Sequence, residues 1–462
     1  ADSAEMARFF SSYYREGSGF RPSSALPPGR AENAGQGPIS VLALLDSVDL
    51  PLPDTSDFKI ADYRAKLTPD AIGRPTIGAQ VGGFYGNGLY GGSYIVLSDM
   101  LGNHNLVLAG NVSGSFSDAA FFGGYSFLKR RPNYGIAFEQ VPLYGYLGTG
   151  LLRVPVDGRL QDVISDVFVR DVYRTAQGIV SYPFNTFRRV ELSMSAAYMK
   201  RDLLYEGYLA YTGQPFRETF REYDYMYYQP SAAMVFDNTF FGWTGPISGR
   251  RYRIQGSRTL GDFDFSELLV DFRNYFNFKQ RVVLATRLLS LVRVGADADR
   301  LFSLYWGGPY FLRGYDGGSF DLNSDECRNS RYYGGAESLS SCPVAEQLIG
   351  SSAAIMNLEL RFPIIKELQI GFLGNFPPVD AVLFFDGGVA WDNQVCQYDL
   401  VQPLACQPGT EQKVKVVWDR KPGQDPYLVR EPLFSYGIGL RMNIFYTVLR
   451  LDYAFPLNRP DR

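Results

Sequence analysis

The sequence predicts an all-β chain, folded as a transmembrane antiparallel β-barrel of about 16 strands, with one arginine loop folded inward and an extended amino-terminal arm. Three observations predict it. Runs of strand length alternate between apolar and polar residues, and their apolar faces carry no charge. Aromatic residues and glycine are both abundant, with 34 Phe, 32 Tyr and 48 Gly in 462 residues. Phenylalanine and tyrosine favour strands, and glycine at about a tenth of the chain exceeds the usual ~7%. A mean hydropathy of only -0.13 agrees with such a barrel, whose strands set lipid-facing residues beside lumen-facing ones.

Residues 1–70 read as an arm, and 71–462 as the barrel. Asp2 and Glu5 suit a capping box, and Met6, Phe9, Phe10 and Tyr13 give a short apolar helical face. Proline and small polar residues over 21–38 read as an extended linker, and the apolar stretch 40–52 is too short to span a bilayer. The start Ala1-Asp2-Ser3 suits a mature or trimmed chain. The longest charge-free run, 75–98, has the length of a spanning helix, but its seven glycines argue against one.

Strand then follows strand. In 189–198 the face Val190, Leu192, Met194, Ala196 and Tyr198 opposes Arg189, Glu191, Ser193, Ser195 and Ala197. In 434–444 Tyr436, Ile438 and Leu440 oppose Ser435, Gly437, Gly439 and Arg441, and 353–362 and 449–455 alternate likewise. These runs approach the nine to eleven residues that a tilted strand needs to cross a bilayer. A soluble sandwich would alternate too, but with shorter strands and the apolar face inward. Eleven candidate strands precede residue 306 and four follow it, with 203–247 the least defined stretch.

Between the two groups lies Trp306-Gly-Gly-Pro-Tyr-Phe-Leu-Arg313-Gly314-Tyr315, too rich in glycine and proline for a paired strand and too apolar for a solvated loop. An arginine among large apolar residues needs a carboxylate partner if it turns inward. Glu359 and Asp386, on the polar faces of neighbouring strands, can supply it through the planar fork that lysine lacks. Gly387 and Gly388 beside Asp386 are expected to leave room for the loop tip.

Five motifs in order make the chain similar to the BamA/TamA superfamily of outer-membrane barrels, the bacterial surface antigen family. They are the Gly-Gly-x-x-x-Leu-Arg-Gly-Tyr loop, Asn357-x-Glu-x-Arg-Phe-Pro, Phe384-Phe-Asp-x-Gly-x-x-Trp, Gly437-x-Gly-x-Arg, and the closing Leu451-Asp-Tyr-Ala-Phe-Pro-Leu. The resemblance implies a sixteen-stranded barrel in the bacterial outer membrane. Arg313, Gly314 and Tyr315 would lock into the lumen against Glu359 and Asp386. It implies a role in assembling or translocating client outer-membrane proteins through a seam between the first and last strands. Outer-membrane lipid, and a periplasmic or lipoprotein partner for residues 1–70, would complete the surroundings. The alternatives are a structural anchor barrel for a larger complex and a passive pore. Two features depart from the family pattern. No βααββ pattern of a POTRA domain is evident in the first 70 residues, and the family places a further strand after the position of 451–457.

The remaining chemistry is sparse. The four cysteines fall as two local pairs, Cys327 with Cys342 and Cys396 with Cys406, and read as disulfides of an oxidising compartment. With one histidine and no CxxC spacing, neither a zinc site nor any cofactor is expected. Asp321-x-Asn323-x-Asp325 lacks the glycine and glutamate of a calcium loop. His104, expected in a turn, leaves no Ser/His arrangement for catalysis, so no enzyme is expected. A net charge of -3 argues against a nucleic-acid partner.

Overall fold

The structure is a computed structural model. It describes residues 62–457 apart from 81–87, 316–346, 396–408 and interruptions of one to three residues. Residues 1–61 of the arm expected over 1–70, and the acidic stretch 321–325, lie outside the described residues. So do both cysteine pairs expected as disulfides, Cys327 with Cys342 and Cys396 with Cys406.

Among the described residues fifteen wall strands run in chain order. The first, β1, has two segments, Thr68–Ile72 and Thr76–Gln80. Then come β2 (Gly88–Ser98), β3 (His104–Ser113), β4 (Ser115–Phe127), β5 (Asn133–Val156), β6 (Arg159–Pro183), β7 (Arg188–Leu209) and β8 (Pro215–Asp237). They continue as β9 (Pro246–Gly261), β10 (Phe265–Phe278), β11 (Val282–Gly295), β12 (Ser352–Ile365), β13 (Val379–Trp391), β14 (Leu433–Ile444) and β15 (Thr447–Pro456). Each pairs antiparallel with its neighbours in sequence, the simplest route for a sheet made of hairpins. No helix occurs among the described residues.

Burial shows which face meets what. Along β14, Ser435, Gly437, Gly439 and Arg441 are buried while Tyr436, Ile438 and Leu440 are exposed. Along β7, Glu191 is buried while Leu192 and Met194 are exposed. This is inside out for a protein in water and right for a wall whose outer face meets hydrocarbon. The sheet is also curled. Gly314, in the loop that follows β11, lies so close to β15 that a Cβ there would come within 3.1 Å of the Ala454 Cβ, four strands away. A flat sheet could not bring those residues together.

The two ends of the sheet differ from its middle. Among the described residues no pairing joins β1 to β15. On β15 the strict alternation of β14 disappears, and Leu449 to Tyr453 are all exposed. Asp452 explains why, because its side chain is only 16% exposed although the residue as a whole counts as exposed. The exposure comes from a backbone edge without a neighbour among the described residues.

Four strands exceed expectation. Alternation predicts ends near residues 147, 166, 203 and 219 for β5 to β8, yet these strands have 24, 25, 22 and 23 residues. At ~3.3 Å per residue they reach about 75–80 Å, roughly twice what a bilayer crossing needs. Beyond the apolar band they pair with one another, so their faces need not alternate. Ion pairs between directly opposed residues of β6 and β7 lie where the extension begins. Arg201 Nε donates to Asp171 Oδ1 at 2.6 Å, and Arg170 Nε to Asp202 Oδ2 at 3.1 Å. His104 is the first residue of β3 rather than part of a turn, with Nδ1 2.6 Å from the Tyr125 hydroxyl.

Candidate functional site

The loop after β11 is built to turn inward. Leu304–Tyr305 pairs with Ile349–Gly350, and Trp306 donates from its backbone to Leu348 O (2.8 Å) and from Nε1 to Gly350 O (3.1 Å). Gly308 and Gly314 have φ of 104° and 85°, conformations that cost a glycine little. Gly307 packs so tightly that a Cβ would sit 2.1 Å from Tyr315 O. The turn buries Leu312 and Tyr315 against Leu348 and Leu433. The Tyr315 hydroxyl donates to Phe434 O at 2.9 Å, which ties the loop to β14.

Arg313 is held on all sides. Nε and Nη2 donate to Oδ2 and Oδ1 of Asp386 at 2.6 and 2.7 Å, a two-pronged bond with a carboxylate that is fully buried. Nη1 donates to Glu359 Oε1 at 2.7 Å. The guanidinium carbon stands 3.7 Å from the centre of the Phe384 ring, a close cation–π contact. Asn357 Nδ2 donates to both Asp386 Oδ1 (2.9 Å) and Phe311 O (2.6 Å), orienting the carboxylate and the loop together. Burial alone would loosen the guanidinium's proton. The bonds to Asp386 and the charges of Glu359, Asp386 and Asp452 outweigh it, and Arg313 is held charged more firmly than an ordinary arginine.

The expected trio is half of a larger group. Arg361 donates to Glu359 Oε2 from Nε (2.8 Å) and Nη2 (2.6 Å). Arg441 donates to Asp452 at 2.6 and 3.0 Å and lies 3.6 Å from Glu359. Asp452 in turn lies 3.8 Å from Arg313. Three arginines and three carboxylates therefore balance, from one loop and four strands. A buried charge can persist only under such compensation. Sequence reasoning assigned Arg361, Arg441 and Asp452 to polar faces without joining them. Their strand register carried the signal, since Gly439 faces Asp452 and Asp380 faces Arg441.

The glycines that make room are not the expected ones. Gly387 and Gly388 meet Phe434 and Ile355 rather than the loop. A Cβ at Gly437 would fall 2.5 Å from the Phe384 ring on which Arg313 stacks, and one at Gly439 would fall 2.1 Å from Asp452 Oδ1. The Gly-x-Gly of β14 thus clears space for two parts of the arginine's surroundings.

Among the described residues no group of side chains suits a metal ion. The Omp85 superfamily domain matches residues 235–462, a span that holds the loop and all six charged residues. No curated protein sequence matches the chain. Among solved structures it is similar to BamA from Haemophilus ducreyi lacking POTRA domains 1-3, with a TM-score of 0.52 and 16% identity, over 86% of this chain and 68% of that one. It is also similar to CdiB from Acinetobacter baumannii (TM-score 0.44, 13% identity, 86% of this chain and 57% of that one). For CdiB from Escherichia coli the figures are 0.44, 12%, 81% and 56%. Exposed strand faces, an inward arginine loop and the superfamily match lead to one assignment: residues 235–462 carry an Omp85 superfamily domain, and the chain has the fold of a BamA-type barrel of the bacterial outer membrane.

Proposed function

We propose that this barrel assembles or translocates client outer-membrane proteins through a lateral seam between β1 and β15, while the arginine loop plugs its lumen. The observation that carries this reading is the backbone edge of β15, unpaired among the described residues, where five consecutive residues from Leu449 to Tyr453 are exposed. An unpaired edge is a template on which an incoming strand can form main-chain hydrogen bonds. Outward side chains Leu449, Leu451, Tyr453 and Phe455 keep that edge in lipid, where a client strand with one apolar face would arrive. The six-residue charge group supports the plug, because its bonds to Arg313 fix the loop to β12 and β13. The reading is non-enzymatic. Outer-membrane lipid surrounds it, and the segment 1–70 is where a periplasmic or lipoprotein partner would engage.

Depletion in the native organism tests the role. Levels of other outer-membrane barrels are expected to fall as the protein is withdrawn. Unchanged levels would leave an anchor for a larger complex as the better reading. A large steady conductance of the unaltered protein in planar bilayers would contradict the plug and favour a passive pore.

A further inference from the structure

A second loop crosses the lumen from the opposite end. Residues 238–250 join β8 to β9 as a small hairpin in which Phe240–Phe241 pairs with the start of β9. Three strands separate this hairpin from the arginine loop, so the antiparallel order places them at opposite mouths. Gly249 bends it: its φ is 92°, and a Cβ there would meet Asn238 O at 2.3 Å. Asn238 fixes the bend by accepting the Arg250 amide at 2.7 Å on Oδ1. The tip closes with Gly242 N donating to Gly245 O at 2.8 Å.

The tip then touches strands that are not its neighbours. Arg361 Nη1 on β12 donates to Pro246 O at 3.3 Å. Thr244 is buried and its hydroxyl donates to Asp380 on β13. Asn443 Nδ2 on β14 donates to Trp243 O at 2.8 Å. From β9 to β14 is five strand steps, about 24 Å along the wall at ~4.8 Å per step, so these bonds run across the interior. Another turn at the same end behaves differently. At 184–187 Phe184 and Phe187 stay exposed at the rim, and Pro183 O and Phe184 O accept Arg131 from beside them at 3.2 Å.

We propose that the tip 242–246 is a second closure of the lumen, coupled to the arginine loop through Glu359 and Arg361. The coupling path is short and made of direct bonds. Arg313 binds one oxygen of Glu359, Arg361 binds the other, and Arg361 also holds Pro246 O. Losing Arg313 would leave Glu359 to rearrange toward Arg361 and Arg441, drawing Arg361 from the tip. Two elements that bias one shared group give the physical basis that coupling requires.

The proposal rests on the arginine loop being a plug, and the test separates the two. Single-channel conductance in planar bilayers would be compared for the whole chain, Arg313→Ala, the tip variant Thr244→Val/Asn443→Ala, and all three changes combined. The combined protein is expected to conduct roughly tenfold more than either parent, as two closures in series require. Arg313→Ala loosens only the Arg361 bond and leaves those of Thr244 and Asn443, so if it alone reaches the combined value, or if the combined protein stays closed, the second closure is overturned while the assembly reading stands. If the tip variant alone reaches it, the arginine loop is no plug and the coupled pair falls with it. Hydrogen exchange at 242–246 reads the coupling itself: faster exchange in Arg313→Ala is expected, and an unchanged rate overturns it. Heat-modifiable gel mobility confirms folding, and Asn443→Ser carries the same comparison should the double tip variant fail to fold.

Discussion

The tall hairpins of β5 to β8 and the low wall of β12 to β15 both bury charge, but they use it differently. In the hairpins Arg201 faces Asp171 and Arg170 faces Asp202 directly across one strand boundary. Each pair joins two elements that the backbone ladder has already joined. In the low wall Arg313 collects Asp386, Glu359 and Asp452 from three strands, and none of these contacts duplicates a ladder bond. The hairpin pairs fill space in a sheet that would form without them. The low-wall group decides where a loop lies.

A series of substitutions would sharpen or break that contrast, from the largest expected effect downward. Arg313→Ala leaves Asp386 buried and unpaired, and should lower stability by roughly 3–5 kcal/mol. The loss would be read as earlier unfolding and weaker heat-resistant gel mobility. Asp386→Ala should cost about the same, and the double change little more than either alone; simple addition of the two losses would deny the pairing. Arg313→Lys should recover little, because lysine cannot form the two-pronged bond. Placing a charge on the outer face by Ile438→Arg should cost about 2–4 kcal/mol in a bilayer near its midplane. An equally stable variant would mean that face does not meet lipid. Gly439→Ala, which thrusts a methyl at Asp452, should cost on the order of 1–3 kcal/mol, measured by urea unfolding in lipid vesicles. The smallest effect belongs to the hairpins: replacing Asp171 and Arg201 together by leucine should change stability by less than about 1 kcal/mol. A loss as large as that of Arg313→Ala would erase the distinction between the two regions.

How far the residues announced this can be judged from particular cases. Alternation in 189–198 and 434–444 gave both the strands and the faces, because a period of two leaves one assignment once lipid claims the apolar side. Arg313, Glu359 and Asp386 were legible as partners because an inward guanidinium has few ways to be satisfied. Arg441 and Asp452 were not, since their meeting depends on register between strands, which no single strand encodes. The upper halves of β5 to β8 were hidden for a related reason. Away from the bilayer nothing enforces alternation, and pairing alone holds the strand. The inward bend at Gly249 was equally silent, because glycine marks a change of direction without saying where the chain then goes.

The height of those four strands has a practical side. The tip at 210–214, with Leu209 N bonded to Gln214 O at 2.9 Å, Gly213 at φ 66° and Tyr211 almost wholly exposed, stands far from both the lipid and the charge group. Exposed tips of this kind accept added sequence with little penalty. A short epitope spliced there should leave the machinery below undisturbed, and antibody access to it on intact cells would tell which mouth of the barrel faces outward.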